Sequence, residues 1–364
     1  MGRCKSAILM RKAPWRLPAE WEPHRATWLA WPKNPRDWPG KFHAVGWVFA
    51  EIIRKLAAHE EIRLLVDDAA WEAKARSVLR RAGVDLSRVC FVHIPTDRGW
   101  CRDMLPAFTV DDAVSGIRAV RFGFTGWAKY PDHLLDARAA GAAIEALGMP
   151  YVSAMEAGRR VVLEGGAIDC NGRGTLLTTE ECLLDPAVQV RNPGFTAKDY
   201  ERVFREYLGI ERVIWLKRGI AGDDTHGHVD DICRFVAEDS VVLCRESNPA
   251  DANYAILEEN REKLEGARLP DGRALNVIYL PMPAPLFFHG ARLPASYANF
   301  YIANDTVLVP TFNDPNDRKA LGILAECFPT RAVTGVHAVD LVWGFGTLHC
   351  LTHEEPAVSR HRTR

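Results

Sequence analysis

Cys170-Asn171-Gly172-Arg173-Gly174-Thr175-Leu176-Leu177 is an Asn-Gly turn running into a strand-like apolar stretch. Asn-Gly is the strongest short-range sign of a β-hairpin, because both residues accept the left-handed backbone that a tight turn requires. Outward from it, the same punctuation recurs at Asp111-Asp112, Glu238-Asp239 and Asn304-Asp305, spaced roughly 60 to 67 residues apart. Strand-forming residues flank each of these turns: Ala107-Phe108-Thr109-Val110, Arg234-Phe235-Val236 and Thr306-Val307-Leu308-Val309. Four hairpins are therefore predicted.

A helix with a recognisable start follows most of these hairpins. Thr196-Ala197-Lys198-Asp199 opens Tyr200 to Leu208 as a capping box, with Asp in place of Glu or Gln. Asp251-Ala252 precedes a helix from Tyr254 to Leu264, and Asp314-Pro315 precedes one from Asp317 to Phe328. Short apolar strands come next, at Val213–Leu216, Val277–Leu280 and Ala332-Val333. The N-terminal part is less regular: Thr27–Trp31, a helix near Val45 to Ala58, then Ile62–Val66.

Hairpin, helix and strand repeated about five times suggest modules that pack around a common axis, since none buries its own apolar faces alone. An ordinary α/β sheet with antiparallel additions stays open on periodicity alone. Asp103, Glu164 and His228 each stand 7 to 10 residues before a hairpin turn. Equivalent positions in successive modules would converge at one end of the axis and build a site there.

The chain has 364 residues, 48% of them hydrophobic, and a net charge of −1, so it has ample material for a core and no electrostatic pull toward nucleic acid. The only basic run is Arg360-His361-Arg362-Thr363-Arg364, which reads as a frayed terminus. Its nine cysteines are scattered, with no CxxC pair, which points to a reducing compartment and against a zinc ribbon. Ala7-Ile8-Leu9-Met10 is too short for a signal peptide or a membrane span, so a cytoplasmic protein is expected.

Chemistry concentrates in two places. Gly222-Asp223-Asp224-Thr225-His226-Gly227-His228-Val229-Asp230-Asp231 packs four carboxylates and two imidazoles into ten positions. Gly344-Phe345-Gly346-Thr347-Leu348-His349-Cys350 delivers a cysteine at the end of a glycine-broken run. A guanidinium is planar, cationic and a poor electrophile. Carboxylates bind it in pairs, a thiolate is the nucleophile able to attack it, and a histidine can move the protons. Cys350, His228, Asp103, Glu164 and Asp230 supply that set. His226-Gly227-His228 with the nearby aspartates also matches a metal-dependent amidohydrolase, though no distant ligand pair accompanies it. A catalytically silent guanidino-binding protein is the third reading.

Longer stretches carry a resemblance. They are Leu17-Pro18-Ala19-Glu20-Trp21-Glu22-Pro23-His24, Trp28-Leu29-Ala30-Trp31-Pro32, Trp100-Cys101-Arg102-Asp103, Glu164-Gly165-Gly166, residues 174–184, residues 222–231, Ser296-Tyr297-Ala298-Asn299-Phe300-Tyr301, Pro310-Thr311-Phe312-Asn313-Asp314 and His349-Cys350-Leu351-Thr352. In this order and spacing the chain resembles the agmatine deiminase and bacterial-type peptidyl-arginine deiminase family of guanidine-modifying enzymes.

The resemblance implies a five-bladed, pseudo-symmetric α/β propeller of the pentein type. It would form one catalytic domain over residues 14–356, between flexible segments at 1–13 and 357–364. It implies hydrolysis of a guanidine such as agmatine or an arginine derivative to the ureido product and ammonia, through a covalent thiouronium. Cys350 would be the nucleophile and His228 the general acid/base. Asp103 and Asp230 would grip the guanidinium from opposite sides, and Glu164 would pair with substrate or water and tune His228. Trp100 and Trp31 would wall the cation pocket. His349 reads as a packed neighbour. No metal or organic cofactor is implied; the partner is a small guanidino molecule, with no nucleic acid or membrane, and a homodimer is allowed.

Four departures from the family pattern bear on specificity. Met104-Leu105-Pro106 follows Asp103 where the family has x-Gly-Pro, and Gly344-Phe345-Gly346-Thr347 stands for Gly-Gly-Gly-Asn. His353-Glu354 replaces a Gln pair, and His226 replaces Asp or Asn. A leucine resists backbone conformations open to glycine, so a reshaped loop behind Asp103 is expected.

Overall fold

The ordered repeat begins with local signals that the chain obeys. In the computed structural model, which describes residues 15–357, the Asn171-Gly172 turn joins Asp169–Cys170 to Thr175–Thr179 in antiparallel pairing. Thr175–Thr179 is buried throughout, as a strand covered on both faces must be. The helix Ala197–Leu208 then crosses back, and Arg212–Leu216 pairs in parallel with Thr175–Thr179. Tyr200, Val203, Phe204, Tyr207 and Leu208 are the buried residues of that helix, spaced i, i+3, i+4, i+7, i+8 so that one stripe faces the sheet. Asp199 closes the capping box by accepting from the Thr196 backbone N–H at 2.7 Å, and Gly209 ends the helix at φ 70°.

Three further modules copy this plan. Ala107–Asp111 turns back on Gly116–Arg121, which after the helix Asp136–Leu147 pairs in parallel with Tyr151–Ser153. Cys233–Ala237, Ser240–Arg245, the helix Ala252–Leu264 and Asn276–Pro281 form another. Tyr301–Ile302, Thr306–Thr311, the helix Pro315–Cys327 and Ala332–His337 form the next. All four predicted hairpins are present.

The irregular N-terminal part is the fifth module, and it is completed from the other end of the chain. His353–Pro356 supplies its antiparallel strand against His24–Ala30. His24–Ala30 pairs in parallel with Glu61–Val66 after the helix Phe42–Ala57, and Val89–His93 adds a fourth strand. The hairpin absent from the first hundred residues is thus assembled from residues more than three hundred positions apart. Glu355 locks this seam: it accepts from Arg63 Nε at 2.6 Å and from Trp28 Nε1 at 3.1 Å.

None of the described helices is long and apolar enough to cross a membrane. The flexible segments expected at 1–13 and 357–364 lie, except for Ala357, outside the described residues.

Candidate active site

Each module presents a short helix or tight turn just before its first antiparallel strand, and the site residues stand there. Asp103 lies in Cys101–Met104 ahead of Ala107–Asp111, and Glu164 caps the turn Gly165–Ala167 ahead of Asp169–Cys170. His228 caps the turn Val229–Asp231 ahead of Cys233–Ala237. Cys350 lies in Leu348–Leu351 ahead of His353–Pro356. The remaining module places Asn299 two residues before Tyr301–Ile302. Five equivalent positions therefore meet at one end of the axis.

Cys350 lines a cavity of about 620 Å³ together with Asp103, Trp100 and Trp127. Its Sγ lies 3.7 Å from Asp230 Oδ2 and receives the Asn299 side-chain N–H at 3.1 Å. Thr347 holds that amide in register by donating to Asn299 Oδ1 at 2.8 Å. Burial, then the charges of Asp230, Asp231 and Asp103, push the Cys350 thiol well above its ordinary range, against the Asn299 bond.

His228 is buried, with Nδ1 3.9 Å from Asp103 Oδ1, and neither ring nitrogen has a hydrogen-bond partner among the described residues. Burial alone would lower its pKa, but the Asp103 carboxylate, the Cys182 sulfur and Asp230 outweigh burial and raise it well above the usual value. Asp103 accepts from Trp127 Nε1 at 2.8 Å and from the Gly166 N–H at 2.9 Å. Burial, with Asp230 and Glu164 nearby, raises the Asp103 pKa despite His228. Gly166 is confined to glycine by contact: a Cβ there would stand 2.6 Å from His228 Nδ1 and 3.0 Å from oxygens of both Asp103 and Asp230.

Asp230 differs from Asp103. Its Oδ2 bonds His349 Nδ1 at 2.7 Å, while Oδ1 is buried without a hydrogen-bond partner among the described residues. Burial pushes Asp230 up, but the His349 bond and the charges of His349, His228 and Arg234 hold it below the usual carboxylate range.

Glu164 is brought into the same cluster but is occupied. The Arg191 guanidinium, fully buried like its partner, donates from Nε to both Glu164 oxygens at 3.2 and 3.4 Å. Glu164, Cys182 and His228 offer ligand atoms within 4.8 Å of one another, the spacing of a metal site. Arg191 already supplies the cation beside Glu164. The His-x-His metal reading is corrected by geometry, because His226 turns away to Asp185 at 2.9 Å and does not join His228. Its φ of 65° makes that divergence possible.

Trp100 stands in the cavity wall, tilted on Trp38 at 5.6 Å. Trp31 does not line the cavity; it packs edge-on against Phe49 at 6.4 Å, in the core. The expectation that it walls the pocket is corrected, because the helix Phe42–Ala57 covers it. Reading the sequence missed Asn299, Trp127, Arg191, Cys182 and the bridging role of His349. The equivalence of Asn299 with Cys350 across modules was the available signal for the first; the others depend on contacts between distant segments.

Fold and site together define the class of α/β-propeller enzymes that act on guanidinium groups, with carboxylates and a thiol collected from successive blades. The comparisons narrow this. The Porphyromonas-type peptidyl-arginine deiminase family pattern matches residues 16–356, and the chain belongs to that family. It is 35% identical to an agmatine deiminase of Stutzerimonas stutzeri and 34% identical to one of Pseudomonas aeruginosa (strain LESB58), each match covering 94% of this chain and 95% of the relative. The structure of the Enterococcus faecalis agmatine deiminase superposes with a TM-score of 0.85 at 28% identity, covering 95% of this chain and 97% of that one.

Proposed function

We propose that residues 14–356 form a single catalytic domain that hydrolyses agmatine, or a guanidine with a similar cationic tail, to the ureido product and ammonia. The observation that carries this reading is Cys350 in the cavity wall beside Asp230, whose Oδ1 has no hydrogen-bond partner among the described residues. A guanidinium N–H supplies the missing donor, and Asp103 faces it from another module. As the cation binds, the Cys350 thiol passes its proton to solvent in the open cavity. The Cys350 thiolate then attacks the guanidinium carbon, forming a C–S bond. Protonated His228 gives its proton to the departing nitrogen, which leaves as ammonia. Neutral His228 next takes a proton from water, whose oxygen attacks the same carbon, and the C–S bond breaks to release the ureido product.

Among the described residues, the cavity wall offers a substrate carboxylate no unpaired arginine. Asp37, Asp132 and Asp224 line it beyond Asp103, and Asp224 is itself paired with Lys129 and takes the Tyr130 hydroxyl at 2.6 Å. Its two arginines are engaged: Arg98 by Asp37 and by Asp132, the latter at 3.1 Å, and Arg36 by Asp132 at 3.8 Å. The eight described cysteines are free thiols, which supports a cytoplasmic, reducing location. A homodimer is retained in the proposal and is read by light scattering.

A panel of agmatine, arginine, peptidyl arginine and small guanidino acids, followed by ammonia and ureido-product detection, tests the reading. Agmatine is expected to exceed arginine in kcat/KM by about tenfold or more. Cys350→Ser is expected to lose about a thousandfold or more in turnover with an unchanged fold by circular dichroism. Ammonia from no guanidine, or full activity in Cys350→Ser, overturns it.

A further inference from the structure

The imidazole next to the thiol has both ring nitrogens committed. His349 Nδ1 meets Asp230 Oδ2 at 2.7 Å and Nε2 meets Glu20 Oε2 at 2.8 Å. An ionised carboxylate only accepts hydrogen bonds, so each His349 nitrogen faces a group to which it is placed to donate. Glu20 is fixed in turn. Its Oε1 accepts from the Ile302 N–H at 2.8 Å and pairs with Arg234 Nη2 at 3.0 Å, and its Oε2 accepts from Arg102 Nη2 at 3.1 Å. Despite full burial, Arg234, His349 and Arg102 hold Glu20 well below the usual carboxylate range. Arg234 and Arg102 are anchored independently, Arg234 to Asp169 at 2.8 Å and Arg102 to Glu354 at 2.7 Å.

We propose that His349 is a positioning residue for the guanidinium site: backed by Glu20, it clamps one oxygen of Asp230 and leaves the other, unpartnered and buried, for the substrate cation. The inference rests on the reading of this cavity as a guanidine site and goes beyond it by assigning Glu20 and His349 a role. Three groups in line, Glu20 from the N-terminal segment, His349 from the turn ahead of His353–Pro356 and Asp230 from the turn ahead of Cys233–Ala237, fix an oxygen that a free carboxylate would rotate away. A buried carboxylate with one oxygen unpaired is costly to hold, and it persists because the other oxygen is tied. His349 also keeps Asp230 ionised before substrate arrives, so binding requires no proton loss from the carboxylate.

The test uses ligand binding to Cys350→Ser protein, measured by calorimetry with agmatine and with its ureido product, which keeps the ammonium tail but has a neutral head group. His349→Gln in this background is expected to weaken agmatine binding about tenfold or more while changing ureido binding less than about twofold. In Cys350→Ser/Asp230→Asn protein, the same His349→Gln change is expected to alter agmatine binding less than about twofold, because the oxygen it positions is gone. Glu20→Gln, which keeps an acceptor oxygen but removes the charge, gives the second variant if His349→Gln does not fold, and a smaller agmatine-selective loss is expected. Equal losses for agmatine and the ureido compound, or a His349 effect undiminished by Asp230→Asn, overturn the role while leaving the guanidine site intact. Absence of binding for every guanidine in the parent protein overturns the site reading itself, and this role with it.

Discussion

At the scale of single residues, the positions that depart from the family pattern are explained one by one. Leu105, where the family has glycine, adopts φ −90° and ψ 162°, ordinary extended backbone, so the loop behind Asp103 accepts it without strain. Phe345 is the opposite case, because it holds φ 66° in a left-handed conformation that glycine takes freely. His353 and Glu354, in place of a Gln pair, are structural: His353 Nε2 bonds the Pro106 carbonyl at 2.8 Å and Glu354 pairs with Arg102. Phe345→Gly is expected to stay within about 1 kcal/mol of the parent, since relief of the backbone cost offsets lost packing. Phe345→Val is expected to destabilise by about 2 kcal/mol, because a branched Cβ fits that backbone worse. Urea unfolding separates the two. For Cys350, a thiol raised by burial and by carboxylates stays protonated at neutral pH. Its inactivation by iodoacetamide is therefore expected to be slow at neutral pH and to climb as pH rises beyond the normal thiol range. A cationic haloamidine brings its own charge and is expected to react much faster at neutral pH. Equal rates for the two reagents, with peptide mapping to Cys350, would mean that a cation already holds the thiolate in the empty enzyme.

At the scale of elements, the local signals decide where each blade starts and stops. Asp314 caps the helix Pro315–Cys327 by accepting from the Asn316 N–H at 2.7 Å, and Asp317 returns a bond from the Asp314 N–H at 3.1 Å. Asp317 also takes the Tyr297 hydroxyl at 2.7 Å, tying the helix start to the segment that leads to Asn299. Asp314→Ala is expected to cost about 1 kcal/mol of stability, and Asp317→Ala more, because the latter also strands a phenol. Thermal unfolding of both variants measures the difference. A loss from Asp317→Ala no greater than from Asp314→Ala would separate the cap from the site.

For the whole molecule, ring closure is the controlling feature. The first blade exists only when His353–Pro356 docks on His24–Ala30, and the same docking sets the adjacent turn that carries Cys350. Glu355 is fully buried at this seam and pairs with Arg63, whose guanidinium also lies over Trp28 at 5.6 Å to the ring centre. Removing one partner of a buried pair leaves an uncompensated charge. Glu355→Ala is expected to cost about 3–5 kcal/mol and to lower activity through the displaced Cys350 segment. Denaturant unfolding with ammonia-release assays on the same samples checks both parts.

Read alone, the chain reveals the four hairpins and the capped helices, and it points to the repeat and to the candidate site residues. Those depend on turn chemistry, apolar periodicity and residue types that are local or recur at fixed spacing. Asp103, Glu164 and His228 were legible for the same reason, since each stands at an equivalent place before a hairpin turn, whereas Asp230 and Cys350 stood out by residue chemistry and by the family resemblance. It took the folded ring to show that Trp31 is core, that His226 faces away from His228, and that Arg191 occupies Glu164. The ring alone revealed that Glu20 and His349 stand behind Asp230 and that the last strand completes the first blade. These facts join residues more than three hundred positions apart across a ring whose closure no local pattern records. Which of two neighbouring side chains turns inward is fixed by packing between modules, and that packing exists only once the ring has formed.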